Sequence, residues 1–237
     1  LQAVRKARQR EFMAAWEALR VSLPVGDFSR LPDVPGHGPA HPVAVDGASA
    51  ALLLRDNISH RGDIERAYLK AIGEARHEAI IANAYFIPGR RLRRALIMAA
   101  ARGVRVRLLL QGRYEHFLQY HAARPVYARL VRAGVEILEY APSALHAKVA
   151  VIDRRWATVG STNLDPLSML LAREANVMTT DRRFAERLHD CLDDILTHSG
   201  RAIDAASLAA RPRRQRVLDR LAFGIMRALL FVTGHRY

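Results

Sequence analysis

Residues 145–163 read LHAKVAVIDRRWATVGSTN, and this stretch decides the fold. His146 and Lys148 are two apart, so on an extended strand they project from one face. Ala147, Val149, Ala150, Val151 and Ile152 around them are small, branched and apolar. Such a run predicts a strand buried on both faces, as in the middle of a layered α/β domain. Two side chains able to carry positive charge are costly there unless an anion meets them. Asp153, Arg154 and Arg155 then make a polar turn, and 156–159 form a second short strand. It ends in Gly160-Ser161-Thr162-Asn163, where a glycine lets backbone approach closely and short polar side chains can hydrogen-bond an oxyanion. The predicted hairpin gathers His, Lys, Ser and Asn. That set suits phosphoryl chemistry.

Outward from the hairpin, strand and helix signals alternate. On the N-terminal side the pattern predicts a strand or its approach over 48–55, a helix over 63–76 and a strand over 77–85. A helix over 90–102 closes at Gly103, a strand follows over 104–110, a helix over 124–132 closes at Gly134, and a strand covers 135–140. On the C-terminal side a loop runs through Leu171, a strand covers 174–180, and Asp181 caps a helix over 182–197. The expected fold class is α/β, an α/β/α sandwich with a mixed sheet. The ends read differently. Residues 1–20 predict a helix and 22–47 a linker rich in Pro and Gly. The expected organisation is therefore a helix and linker over 1–47, a catalytic lobe over 48–200 and a basic-apolar tail over 201–237.

The spacing His146-x-Lys148, four residues, Asp153, six residues, Gly160-Ser161-x-Asn163 resembles the HKD signature of the phospholipase D superfamily. The resemblance covers roughly 48–199. The flanks ANAYFIPG, ARGVRVRLLL and AGVEILEY, with RDN and IERAYLKAI, look most like bacterial cardiolipin synthases of the shorter kind without N-terminal membrane spans. In that family two signatures meet across an approximate two-fold axis. One histidine becomes phosphorylated, and the other serves as acid and then as base for the incoming alcohol. This chain has one signature and no second His-x-Lys pair. The resemblance therefore implies the C-terminal half of a longer protein, in which His146 is the acid/base and a missing N-terminal lobe holds the nucleophile. The alternative is a homodimer that builds the site from two copies.

The chemistry assigns the remaining roles. A neutral imidazole can attack phosphorus or, protonated, donate to the leaving oxygen. Lys148 supplies a cation beside it, and Ser161 and Asn163 offer hydrogen bonds to the non-bridging oxygens. Asp153 has the opposite strand parity and sits at the turn, so it is expected to hold the hairpin rather than touch phosphate. Glu174, in Arg173-Glu174-Ala175-Asn176, resembles the family acid that orients the histidine; a carboxylate on one ring nitrogen fixes the tautomer and raises the basicity of the other.

Composition narrows the partner. Half of the 237 residues are hydrophobic and a quarter charged, as in an ordinary globular protein, but the formal net charge is +14. Such a charge attracts polyanions, either nucleic acid or an anionic membrane surface. The single Cys191 excludes an intramolecular disulfide, and His116 and His121 lie five apart, off the spacing of two ligands on a helical face. No metal or cofactor is expected. In the tail, Arg211, Arg213, Arg214, Arg216 and Arg220 precede LAFGIMRALLFV, an apolar run too short to span a bilayer. It reads either as an interfacial helix on an anionic leaflet or as a helix docked on the domain. Exposed Leu229, Leu230 and Phe231 would favour lipid over nucleic acid. The chain begins with Leu1, so the lack of a targeting segment excludes little.

The expected activity is a phosphatidyltransferase making cardiolipin or a related anionic phospholipid. It would act on an anionic phospholipid at the cytoplasmic face of the cell membrane, as a peripheral enzyme. The competing readings are a homodimeric phospholipase D-type hydrolase or endonuclease, and a non-catalytic half that binds anionic membrane.

Overall fold

The computed structural model describes residues 50–56, 60–114, 117–170 and 172–232. The helix and linker expected over 1–47 lie outside the described residues, as does Asn57 of the RDN segment. One eight-stranded sheet organises the rest, in the order β1-β7-β6-β5-β2-β3-β4-β8. Its strands are β1 (Ala50–Arg55), β2 (Glu78–Asn83), β3 (Arg105–Gln111), β4 (Glu136–Tyr140), β5 (Lys148–Ile152), β6 (Trp156–Gly160), β7 (Glu174–Thr179) and β8 (Gly200–Ile203). Only β2-β3 and β3-β4 are parallel; the other pairs are antiparallel, so the sheet is mixed.

The two parallel pairs need crossovers, and helices α1 (Asp63–Glu74), α2 (Arg90–Ala101) and α3 (Phe117–Arg132) lie along that half of the chain. Their apolar stripes (Ile64, Tyr68 and Ile72; Leu92 and Leu96; Val126 and Leu130) form one core with Ala79, Ile81, Val106, Leu108 and Ala150. The alternate residues Ile80, Ala82, Leu109 and Val151 point the other way, into a second core with Leu192 and Leu196 of α5 (Arg182–Ser199). The central strands are thus buried on both faces, which is why their sequences are unbroken apolar runs. The result is a three-layer α/β/α domain. The described residues form one compact unit.

Local signals explain the boundaries. Gly103 and Gly134 have φ of 89° and 87°, and the chain turns back as a Schellman motif at each: Gly103 N–H donates to Ala100 O and Val104 N–H to Ala99 O, with the same pattern at Gly134 and Val135. The Asp181 carboxylate accepts from Phe184 N–H at 2.7 Å and caps α5. Helix α3 begins at Phe117, well before the expected 124, with Pro125 inside it. A proline suits the first turn of a helix, but here its missing N–H is tolerated in the interior.

A short helix, α4 (Pro166–Leu170), stands where a loop was expected, and another, α6 (Ala205–Ala209), lies within the expected tail. Strand β8 pairs with β4 and carries the sheet across the expected boundary at 200. The last described element is α7 (Arg213–Val232), which packs against α3 through Asp219, Ala222 and Met226. Among the described residues no helix is long and apolar enough to cross a membrane.

Candidate active site

Strand register brings the polar residues together at one end of the sheet. Asn83, the last residue of β2, pairs with Lys148, the first of β5. Gly160 closes β6 opposite Asn176 of β7, and Glu174 opens β7 opposite Arg55 at the end of β1. Every second residue shares a face, so Lys148, Asn83, Asn176, Glu174 and Arg55 all point to the side of α1 and α2.

Lys148 is buried, and its Nζ donates to His146 O at 3.1 Å. Burial pushes its pKa below the usual lysine value, while the carboxylates of Glu174 and then Asp165 oppose that shift. His146 differs from the expectation. It lies just ahead of β5, exposed, not within a buried strand. The ladder ends where Ala84 N–H donates to Ala147 O, and the chain leaves the sheet there. The imidazole has no hydrogen-bond partner among the described residues. It is open to whatever enters the site.

The turn after β6 is held from below by two buried asparagines. Asn83 Oδ1 accepts from Leu164 N–H at 3.0 Å, and its Nδ2 donates to Thr162 O. Asn176 Oδ1 accepts from Thr162 Oγ1 at 2.6 Å while its Nδ2 donates to Thr158 Oγ1. Gly160 is obligatory, since a Cβ there would strike Ala175 O and the Asn176 amide. This clamp fixes Ser161 and Asn163. The Ser161 hydroxyl donates to Glu174 Oε2 and accepts from Ala175 N–H at 3.1 Å. Asn163 Oδ1 is buried and without a hydrogen-bond partner among the described residues.

Glu174 therefore sits on Ser161, and no bond joins it to the His146 ring in this structure. Arg55 is buried, with its guanidinium donating to Met169 O and Ala172 O. It orders the loop before Glu174. Asp153 lies at the opposite end of β5. Its carboxylate accepts from the backbone N–H of Arg76, His77 and Glu78, each at 2.8 Å, and ties the hairpin turn to the start of β2. Burial would raise its pKa, but those donors together hold it below the usual aspartate value. Asp153 and Arg154 have φ of 51° and 52°, which the tight hairpin turn requires and which non-glycine residues seldom adopt.

Sequence reasoning missed Arg55, Asn83, Asn176 and Asp165. A signal existed for Asn83 and Asn176: each interrupts an apolar strand, where an amide is tolerated only if fully bonded.

Residues 68–196 of the chain match the family model described as cardiolipin synthase, PLD-like domain. The chain belongs to this phospholipase D-like family. Cardiolipin synthase B of Escherichia coli (strain K12) is 47% identical to it over 187 residues, 79% of this chain and 45% of that protein. Cardiolipin synthase A of Pseudomonas putida (strain GB-1) is 39% identical over 127 residues, covering 54% and 26%. The chain thus spans about half the length, or less, of these cardiolipin synthase relatives. Solved structures agree in fold. Phosphatidylserine synthase of Haemophilus influenzae superposes with a TM-score of 0.59 at 13% identity, covering 80% of this chain and 48% of that one. The phospholipase D family member Nuc of Salmonella typhimurium gives 0.56 at 21% identity, covering 66% of this chain and 99% of that one.

Proposed function

We propose that this chain is one lobe of a phosphatidyltransferase that makes cardiolipin or a related anionic phospholipid by phosphodiester exchange. The observation that carries the reading is the exposed, unpartnered His146 beside a buried Lys148, in a signature whose family is that of the cardiolipin synthases. In the exchange, a histidine nitrogen attacks phosphorus and the P–O bond to the leaving alcohol breaks, that oxygen taking a proton from the acid. The acceptor alcohol then gives its proton to the same group, now a base, and its oxygen displaces the histidine from phosphorus.

With a second lobe supplying the nucleophile, His146 is the acid and base; in a homodimer it takes both roles, one in each copy. Lys148 is the cation beside the phosphoryl oxygens, Asn163 offers them its amide N–H, and Ser161 donates to them on turning its hydroxyl away from Glu174. Glu174 positions Ser161 and favours the charged form of Lys148 against the effect of burial. Asp153 holds the hairpin. The enzyme works at the cytoplasmic face of the membrane as a peripheral protein.

The test uses the complete protein with phosphatidylglycerol vesicles, reading cardiolipin by mass spectrometry and phosphohistidine by acid-labile, base-stable labelling. His146→Ala is expected to lower turnover at least about a hundredfold, the size of a lost general acid, with vesicle binding kept. Wild-type turnover in that variant would sink the assignment. Release of phosphatidic acid alone, with no cardiolipin, would make the protein a hydrolase.

A further inference from the structure

Helix α7 docks on α3 by one face and leaves a second apolar face open. Val217, Leu221 and Ile225 recur every four residues and so share a side. They are 53%, 59% and 52% exposed. Isolated exposed apolar side chains are ordinary; three in register along one helix are a surface.

The charge beside them is as ordered. Arg213, Arg216, Arg220 and Arg227 follow at steps of three, four and seven, which places them along one flank of the same helix. Arg227 also lines a groove with Arg90 and Arg93 of α2, Arg129 of α3 and Phe223. Among the described residues Arg90, Arg129 and Arg227 have no carboxylate within ion-pair distance. Like charges crowd there without compensation, which is costly unless an anionic surface is brought to them.

We infer that this face of α7, with the arginine groove beside it, docks the protein on the surface of an anionic phospholipid bilayer. The apolar stripe enters the boundary between head groups and acyl chains, and the flanking arginines reach the lipid phosphates. A bilayer offers both an apolar medium and a dense layer of negative charge at the depth this face demands. The inference deepens the proposed function, since a lipid substrate has to be met at a bilayer. Its test reads binding and not turnover, so the two fail separately.

Co-sedimentation of the complete protein is measured with vesicles of phosphatidylglycerol in phosphatidylcholine, and with phosphatidylcholine alone. Wild type is expected to bind the anionic vesicles, and less so as salt rises. Replacing Val217, Leu221 and Ile225 together by serine is expected to weaken binding about tenfold or more, and Arg90→Gln with Arg129→Gln and Arg227→Gln by a similar factor with a shallower salt dependence. Leu221→Ser alone, at the most exposed position, gives the same direction if the triple change costs the fold. Undiminished binding in both the serine triple and the arginine triple would overturn the inference, as would equal binding to both vesicles. So would a change of oligomeric state on Leu221→Ser, which would assign the stripe to a second copy or to another part of the protein.

Discussion

At the level of single residues, the signature separates into groups proposed to meet substrate and groups that hold those groups still. Gly160 belongs to the second set. Its hydrogen faces Ala175 O and the Asn176 amide, so Gly160→Ala must push β6 and β7 apart at the point where Asn176 bonds Thr162. A loss of about 2 kcal/mol or more in denaturant unfolding is expected. Lys148 shows the opposite tension. Burial favours its neutral form while the proposed reaction needs the charged one, and the Glu174 carboxylate offsets part of the burial effect. Activity should therefore fall on the alkaline side at a pH below the range of a free lysine, near 10.4. Glu174→Gln removes a charge that raises the Lys148 pKa, so that alkaline limb should move to lower pH. An unmoved limb in the pH–rate profile of the variant would remove Lys148 as its cause. Residue types were legible from sequence because His, Lys, Gly and Asn stand at fixed spacing. Contacts were not: that Glu174 meets Ser161 follows from the β6-β7 register, which no local pattern records.

Among elements, the join between α3 and α7 is the one that carries a buried polar cluster. His121 Nδ1 lies 2.6 Å from Asp219 Oδ1, both buried, and Arg211 reaches the same carboxylate. Tyr120 receives the guanidinium of Arg124 at 4.1 Å from its ring centre. Removing Asp219 leaves two cationic or polar partners unmatched in a closed space. Asp219→Ala should cost about 3 kcal/mol and speed amide hydrogen exchange through α7 while leaving β5 protected. Equal exchange across both would mean that α7 is not a separable unit. The sequence had left the tail between an interfacial helix and a docked one. Apolar periodicity alone could not decide, because α7 carries apolar residues on two sides, and only packing tells which side is covered. Helix ends were easier to read, since Gly103, Gly134 and Asp181 act within their own turn.

Over the whole molecule, the sheet has a chemical end and a structural end. Alternation of strand and helix made the α/β/α architecture legible from sequence, and the central strands announced themselves as unbroken apolar runs. The edges did not: β8 is four residues long, with two of them exposed, and is a strand only because β4 is there to pair with it. At the structural end, the Asp153 carboxylate gathers three backbone donors, and its depressed pKa makes it a stabilising group above about pH 4. Its contribution is fully present above the unfolded-state value and is lost as pH falls through the lower folded-state one. Asp153→Asn should flatten the acid limb of stability, by about 1–2 kcal/mol for a partly solvated site.

The same feature bears on heredity. Asp153 and Lys148 stand at opposite ends of one five-residue strand, so alleles at the two positions should differ in kind. On the proposed function, a change at Lys148 should leave a normal quantity of slow protein, at any growth temperature. A change at Asp153 leaves fewer molecules, each working at the ordinary rate, and growth in the cold or a stabilising second change elsewhere should restore them.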